Sequence, residues 1–378
     1  MRRLLLALLA LVPLLAAPLG AQEPLLPPKI DKNHDPNDWE SYYDIGVDQL
    51  PRMAGKADAA FYWAARHDPT RAEPIFGRWV AFWMADVSEW PDYLDGNLRV
   101  LEKHEVIAAD SGRYRAWERN PFVNEALVAL LDKKAFGSSY SADLLSQGWV
   151  DYVNQRYQDA ISNYTAAMGD GKKERYLIHF EIALVYTQMS RFDSAAWQVE
   201  KLLEAMRSDD RKHIVYLYNS KEMFEYALGL LYAAQGKLSD AREAQSRALQ
   251  ENLAFAPAHA ELARLAQMRA DTKTAVEEYG QAVELAPDDG AMRYWYGKAL
   301  LRAKRADEGA EQLRTAVRLE PYFADPYLSL GAAYEVQHDS TKAIAAYQEF
   351  VKRAPRRAAD NISFAISRIT ELGGKPPS

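Results

Sequence analysis

Residues 228–241 read LGLLYAAQGKLSDA, an apolar helical run with Gly229 near its middle and Gly236 just after its end. Glycine inside a helix costs roughly 1 kcal/mol relative to alanine, so its presence asks for a reason. Twelve residues on stands Ala241, and the same pairing of small residues recurs along the chain. Gly148 pairs with Ala160, Ala183 with Ala195, Ala263 with Ala275, Gly297 with Gly309, and Gly331 with Ala343. The first members of the last four pairs, at 229, 263, 297 and 331, are 34 residues apart; the earlier steps are 35 and 46.

Other positions keep the beat. Seven residues after the second small residue stand Ala167, Leu202, Ala248, Ala282, Ala316 and Phe350. Four after it stand Tyr164, Val199, Gln245, Tyr279, Leu313 and Tyr347, and prolines close three units at Pro287, Pro321 and Pro355. The unit from Tyr327 reads Tyr-x-x-Leu-Gly-x-x-Tyr, then Ala343-x-x-x-Tyr347, then Pro355. This resembles the tetratricopeptide repeat, a 34-residue pair of antiparallel helices with the pattern W-x2-L-G-x2-Y, A-x3-F, P; tyrosine stands for the tryptophan. The resemblance implies an all-α, right-handed α-solenoid with six units over residues 141–355. In that reading Gly229 and Ala241 let two helix backbones approach, Tyr232 or Tyr279 fills the space beside them, and stacked neighbours bury what one pair cannot.

The flanks are read from the same spacing. Ala57, Phe61, Ala64 and Pro69 repeat the intervals of Ala275, Tyr279, Ala282 and Pro287, with Trp39, Tyr42 and Tyr43 upstream. Residues 38–71 are therefore expected to be a degenerate repeat, with a turn at Pro51 two residues longer than usual. Residues 72–140, with Trp79, Phe82, Trp83, Trp90 and Tyr93, lose the register. They are expected to be a helical insert or divergent repeats, acting as a second layer of core or as a partner-binding insert. Twelve extra residues before Gly229 require a longer helix or an excursion loop. Residues 356–372 read as a capping helix, 22–37 as an extended lead-in and 373–378 as a disordered tail.

At the start, Arg2 and Arg3 precede an apolar stretch from Leu4 to Leu19 and small residues before Gln22. These are the three parts of a secretory signal peptide, expected over residues 1–21. The reading is of an exported, periplasmic or extracellular protein, with a retained N-terminal anchor as the alternative and no membrane span after cleavage. The 378-residue chain has no cysteine, which rules out disulfides, a cysteine-borne lipid anchor and cysteine-ligated zinc. A net charge of −7 argues against a general nucleic-acid binder.

Reaction chemistry is sparse. Asp31-Lys-Asn33-His-Asp35-Pro-Asn37 begins like a calcium loop, but Pro36 and Tyr42 stand where an EF-hand needs glycine and glutamate; a cap for the first repeat is the simpler reading. The seven histidines are scattered without zinc-ligand spacing, and no nucleophile elbow or phosphate-binding loop occurs. No cofactor, metal site or catalytic residue is expected. An enzyme or small-ligand binder would have to use residues 72–140.

The resemblance further implies a concave face built from the first helix of each unit. The corresponding stripe offers Trp149 and Tyr152, then Phe180 and Leu184, then Tyr226 and Leu230, then Arg264 and Gln267, then Tyr294, Lys298 and Arg302. The lysine and asparagine clamp by which some family members hold acidic chaperone tails is missing: Leu145, Trp149, Phe180 and Leu184 stand in its places. An aromatic half followed by a basic half suits a protein or peptide with an apolar segment and an acidic end. The competing expectation is that Trp149 and Phe180 are covered by the N-terminal region or pack against neighbouring repeats, and that the basic residues pair with Glu261 and Glu335. The function expected is a non-catalytic protein–protein interaction scaffold in the cell envelope, or a structural subunit or assembly factor of an envelope complex.

Overall fold

The computed structural model describes residues 25–50, 53–71, 73–75, 77–78, 81, 144–168, 177–212 and 221–377. Among these residues the chain is helical throughout, without a strand. Helices α1 (Trp39–Gln49) and α2 (Ala54–His67) form one antiparallel pair. The second stretch runs α3 (Leu144–Val153), α4 (Tyr157–Met168), α5 (Ile178–Gln188), α6 (Phe192–Lys212), α7 (Glu222–Ala234) and α8 (Leu238–Glu251). It continues with α9 (Ala256–Met268), α10 (Thr272–Leu285), α11 (Gly290–Arg302), α12 (Ala306–Leu319), α13 (Asp325–Val336) and α14 (Ser340–Arg353), and ends in α15 (Ala359–Glu371). From α3 on, each helix packs on its neighbours in sequence, first within a pair and then on the next pair, which makes an all-α solenoid.

The small residues sit where the helices of a pair cross. A Cβ on Gly229 would overlap the Gln245 side chain and lie 3.2 Å from the Ala241 carbonyl oxygen. On Gly148 it would stand 2.6 Å from the Tyr164 ring, on Gly297 2.7 Å from Leu313, and on Gly331 inside the Tyr347 ring. The bulky residue at each crossing is thus the one sixteen positions on, four past the second small residue. Tyr232 does not fill the space beside Gly229; it is half-buried, and its hydroxyl donates to Glu200. In the first pair Gly46 takes the small position, and its Cβ would stand 2.7 Å from the Phe61 ring. Gly46 precedes Ala57 by eleven residues against twelve elsewhere, and four residues separate α1 from α2 where three separate the helices of the later repeats, so the connection is one residue longer, not two.

The turn within each repeat has one geometry. Gln155, Ser190, Gly236, Ala270, Lys304 and His338 all have φ between 56 and 75°. The next amide in each case reaches back to a carbonyl five residues earlier, as from Arg305 to Leu300 at 2.9 Å and from Asp339 to Tyr334 at 2.9 Å. That is the Schellman closure of a helix C-terminus, which normally uses glycine. Second helices start on Asp271 and Asp339, whose side chains accept the amides of Thr274 and Lys342.

The extra residues before Gly229 go partly into α6, which is 21 residues long. Glu225 on α7 is 1% exposed and holds Arg207 of α6 and Arg247 of α8. After α15, Gly373 to Lys375 are not loose: the Gly374 amide donates to Ile369 at 2.8 Å and Gln348 donates to the Lys375 carbonyl at 2.7 Å.

The two ends of the described chain touch. Trp63 meets Tyr322 edge-on at 4.9 Å, and the His67 ring lies 5.7 Å from Tyr322. Asn37 donates to the Lys352 carbonyl at 3.0 Å, and the Arg356 amide donates to Asp35 at 2.6 Å. Arg357 reaches Asp38 at 3.1 Å and Glu40 at 2.7 Å, and Arg66 stands 3.6 Å from Glu320. The acidic residues of the calcium-like stretch are engaged here and in local turns, where Asp31 accepts the Asn33 and His34 amides. Residues 73–75, 77, 78 and 81 are helical, and Gly77 packs on Phe61 while Arg78 pairs with buried Asp58 at 2.8 Å. The rest of the expected insert, with Trp79 and Trp83, lies outside the described residues.

Candidate functional site

The first-helix stripe named from sequence divides into three sets. Tyr152, Leu184, Tyr226 and Tyr294 are enclosed, at 4%, 1%, 3% and 7% exposure. They are therefore not open groove positions, and for Tyr226 and Tyr294 a repeating contact is the reason. Phe180 meets Phe224 of the next unit edge-on at 5.3 Å, Tyr226 meets Phe255 at 5.5 Å, and Tyr294 meets Phe323 at 5.2 Å. These rings are spacers between units, held in the edge-to-face geometry that aromatic pairs prefer. Tyr152 and Leu184 lie in apolar clusters that each join their own repeat to the next. Sequence carried a signal for this: Phe255 and Phe323 are 68 residues apart, two repeat lengths, and buried Asp289 takes the position between them.

Trp149, Phe180, Leu230 and Gln267 form the second set and are half-buried. Trp149 packs beside Tyr152 with ring centres 5.7 Å apart. Leu230 borders the cluster of Tyr226, Ala248, Phe255 and Ala258. They keep an apolar edge at the surface but no wide open groove.

The third set is basic, and its members differ. Arg264 donates to both carboxylate oxygens of Glu261, with Nε at 2.7 Å, and to the Met268 sulfur at 3.2 Å. Glu261 is 6% exposed, so Arg264 neutralises a buried carboxylate of its own helix. Glu335 is engaged elsewhere, by Arg368 and the Tyr347 hydroxyl. Lys298 instead donates to the Tyr294 hydroxyl at 3.1 Å and lies 5.0 Å from that ring's centre. Among the described residues neither Lys298 nor Arg302 has a carboxylate within ion-pair distance. Burial, and then the neighbouring Arg302 charge, push the Lys298 ammonium below its usual range.

Asp325 at the start of α13 is the counterpart. Burial first, and the charge of Asp68 second, raise its carboxyl above the ordinary range, against the pull of Lys298 and Arg357. Asp68, just past α2, also raises the Tyr294 hydroxyl, after burial as the main cause. The end of the first helix pair therefore stands close to the first-helix face of α11 and α13. Tyr279, between Arg264 and Arg302, is pushed up to about 12 by burial, then by Glu261.

Nearby, a cavity of about 460 Å³ lies between the start of α10 and the end of α11, lined by Thr272, Lys273, Glu277, Arg302, Lys304 and Arg305. Two of its cations are engaged, Lys273 by Glu277 and Arg305 by Glu308. Among the described residues no group of three histidine, aspartate or glutamate side chains is arranged to hold a metal ion. No described helix is long and apolar enough to cross a membrane.

No curated protein sequence matches the chain. Solved structures that it is similar to include YrrB, described as a TPR protein with an unusual peptide-binding site. That match is 19% identical over 54% of this chain and 97% of the other, with a TM-score of 0.43. The C-terminal part of a TPR repeat-containing protein from Cytophaga hutchinsonii is 15% identical over 60% and 84%, with a TM-score of 0.48. MamA from Desulfovibrio magneticus RS-1 is 17% identical over 50% and 98%, with a TM-score of 0.42. Residues 260–327, which span α10 to α12 and the crossings at Ala263 and Gly297, match the tetratricopeptide repeat family model.

Proposed function

We propose that the chain is a non-catalytic scaffold that holds a protein or peptide segment along its first helices. The observation that carries this is the unequal state of its three basic residues. Arg264 is spent on Glu261, whereas Lys298 and Arg302 stand together without an ion pair among the described residues. Two like charges held close on a partly buried surface repel each other, and an incoming carboxylate relieves both. The half-buried Trp149, Phe180 and Leu230 supply apolar contact further along. The partner's recognised feature is then an acidic end following an apolar segment. The N-terminal leader supports an exported location, and N-terminal sequencing of the protein from envelope extracts checks it.

Affinity capture from those extracts tests the scaffold reading. The wild-type chain runs beside a Lys298→Glu, Arg302→Glu variant and an Arg264→Gln variant, with helicity followed by circular dichroism. The expected outcome is a protein captured by wild type and by Arg264→Gln but lost with the double variant. Equal capture by all three overturns the role given to Lys298 and Arg302.

A further inference from the structure

The contacts between the chain's ends are of a different kind from those between successive repeats. Between repeats the seam is an apolar core of alanines and rings, as in the cluster joining Tyr294, Leu313, Phe323, Leu330, Tyr347 and Phe350. Between α1–α2 and the loops at 320–323 and 352–357, the seam is ionic and aromatic. Arg357 bridges Asp38 and Glu40 while itself about half exposed, Arg66 faces Glu320, and three backbone groups are bonded by Asn37 and Asp35. Among the described residues only Tyr322, against Trp63 and His67, brings a large ring across it, and Tyr322 is 39% exposed. An exposed ion pair such as Arg357–Glu40 is worth about 1 kcal/mol or less and is screened by salt, whereas Arg66 faces a Glu320 that is nearly enclosed. Separating it gives up these pairs and the contact of Trp63 and His67 with Tyr322.

Its position matters because Asp68, at the end of α2, stands near Tyr294 and Asp325 on the first-helix face. From these observations we infer that the pair α1–α2 is an intramolecular clasp. It joins the front of the chain to the loops of the last repeats and releases as a unit when its ion pairs are lost. Charge sets the fit: the moving side offers Asp35, Asp38 and Glu40, and the receiving side offers Arg357 and the Arg356 amide. The clasp does not depend on the face binding a peptide.

The absence of cysteine makes the test direct. Spin labels are placed at Asp44→Cys on α1 and Asp360→Cys on α15, both exposed and outside the seam. Their separation is measured by pulsed electron resonance in the wild-type background, in Arg357→Glu with Arg66→Glu, and in Arg357→Glu with Asp38→Arg and Glu40→Arg. The expected result is one short-distance peak in wild type at low salt, its loss in the charge-reversed variant and in 1 M salt, and its return in the doubly reversed chain. Amide exchange over 290–298 and 325–330 rises several-fold whenever the peak is lost, with helicity unchanged. A peak that survives both charge reversal and 1 M salt overturns the proposal, as does a long or broad distribution in wild type at low salt. The salt series on the unmodified seam decides the matter by itself should a variant fail to fold.

Discussion

Gly331 and Gly280 are both helical glycines, yet their surroundings give them opposite roles. A Cβ at Gly331 falls inside the Tyr347 ring, which is fully buried and anchored through its hydroxyl to Glu335. Gly331→Ala should destabilise the chain by about 2 kcal/mol, the scale of overpacking a rigid core. At Gly280 the nearest atom would be the Tyr296 hydroxyl, at an ordinary 3.5 Å. Gly280→Ala should therefore stabilise by about 1 kcal/mol through helix propensity alone. Urea denaturation of both variants checks the pair of signs. His67 offers a third residue-scale outcome. Burial holds its ring at a pKa of about 4, with Asp35 pulling the other way, between the rings of Tyr42, Trp63 and Tyr322. The unfolded chain takes up that proton near pH 6.5 and the folded chain resists until about 4. Stability from this group is thus full above pH 6.5 and falls as pH drops toward 4, by up to about 3 kcal/mol. A thermal midpoint series from pH 7.5 to 4.5 should lose this part of its slope in His67→Phe, leaving the acid dependence of the carboxylates.

At the scale of the element, the repeat turn is the informative unit. Five of its six left-handed positions carry side chains, and only Gly236 has the residue suited to φ above zero. A non-glycine residue in that region costs roughly 1 kcal/mol or more. Ala270→Gly and Lys304→Gly should each stabilise by about 1 kcal/mol, and Gly236→Ala should destabilise by a similar amount. Chemical denaturation midpoints of the three variants check this. The same scale shows what sequence made legible. The small-residue pairs announced helix crossings, because close approach of two backbones tolerates little else. The bulky residue at each crossing is visible four places on, as Gln245, Tyr279 or Tyr347, whereas the ring nearest in sequence to Gly229, Tyr232, is not the one that fills the crossing. The spacer rings were harder. Tyr226 and Tyr294 occur at surface-stripe spacing, and only their partners Phe255 and Phe323, one unit later, decide that they are enclosed. Arg264 looked equal to Lys298 until Glu261, three residues earlier, proved buried and in need of a cation.

For the whole molecule, the solenoid could be read from a period, whereas the meeting of its ends could not. A period describes what each unit does to the next. Contacts such as Asn37 with Lys352, or Arg357 with Glu40, join residues more than 300 positions apart and leave no recurring spacing behind. An array of repeats with free ends loses structure from those ends first, since each terminal unit has a single neighbour. Here the last repeats have two further sources of contact, α15 along the stack and the α1–α2 pair across it. Fraying then has no free starting point on that side. Native-state hydrogen exchange should show α13 and α14 among the slowest segments, rather than following the usual gradient from slow middle to fast ends.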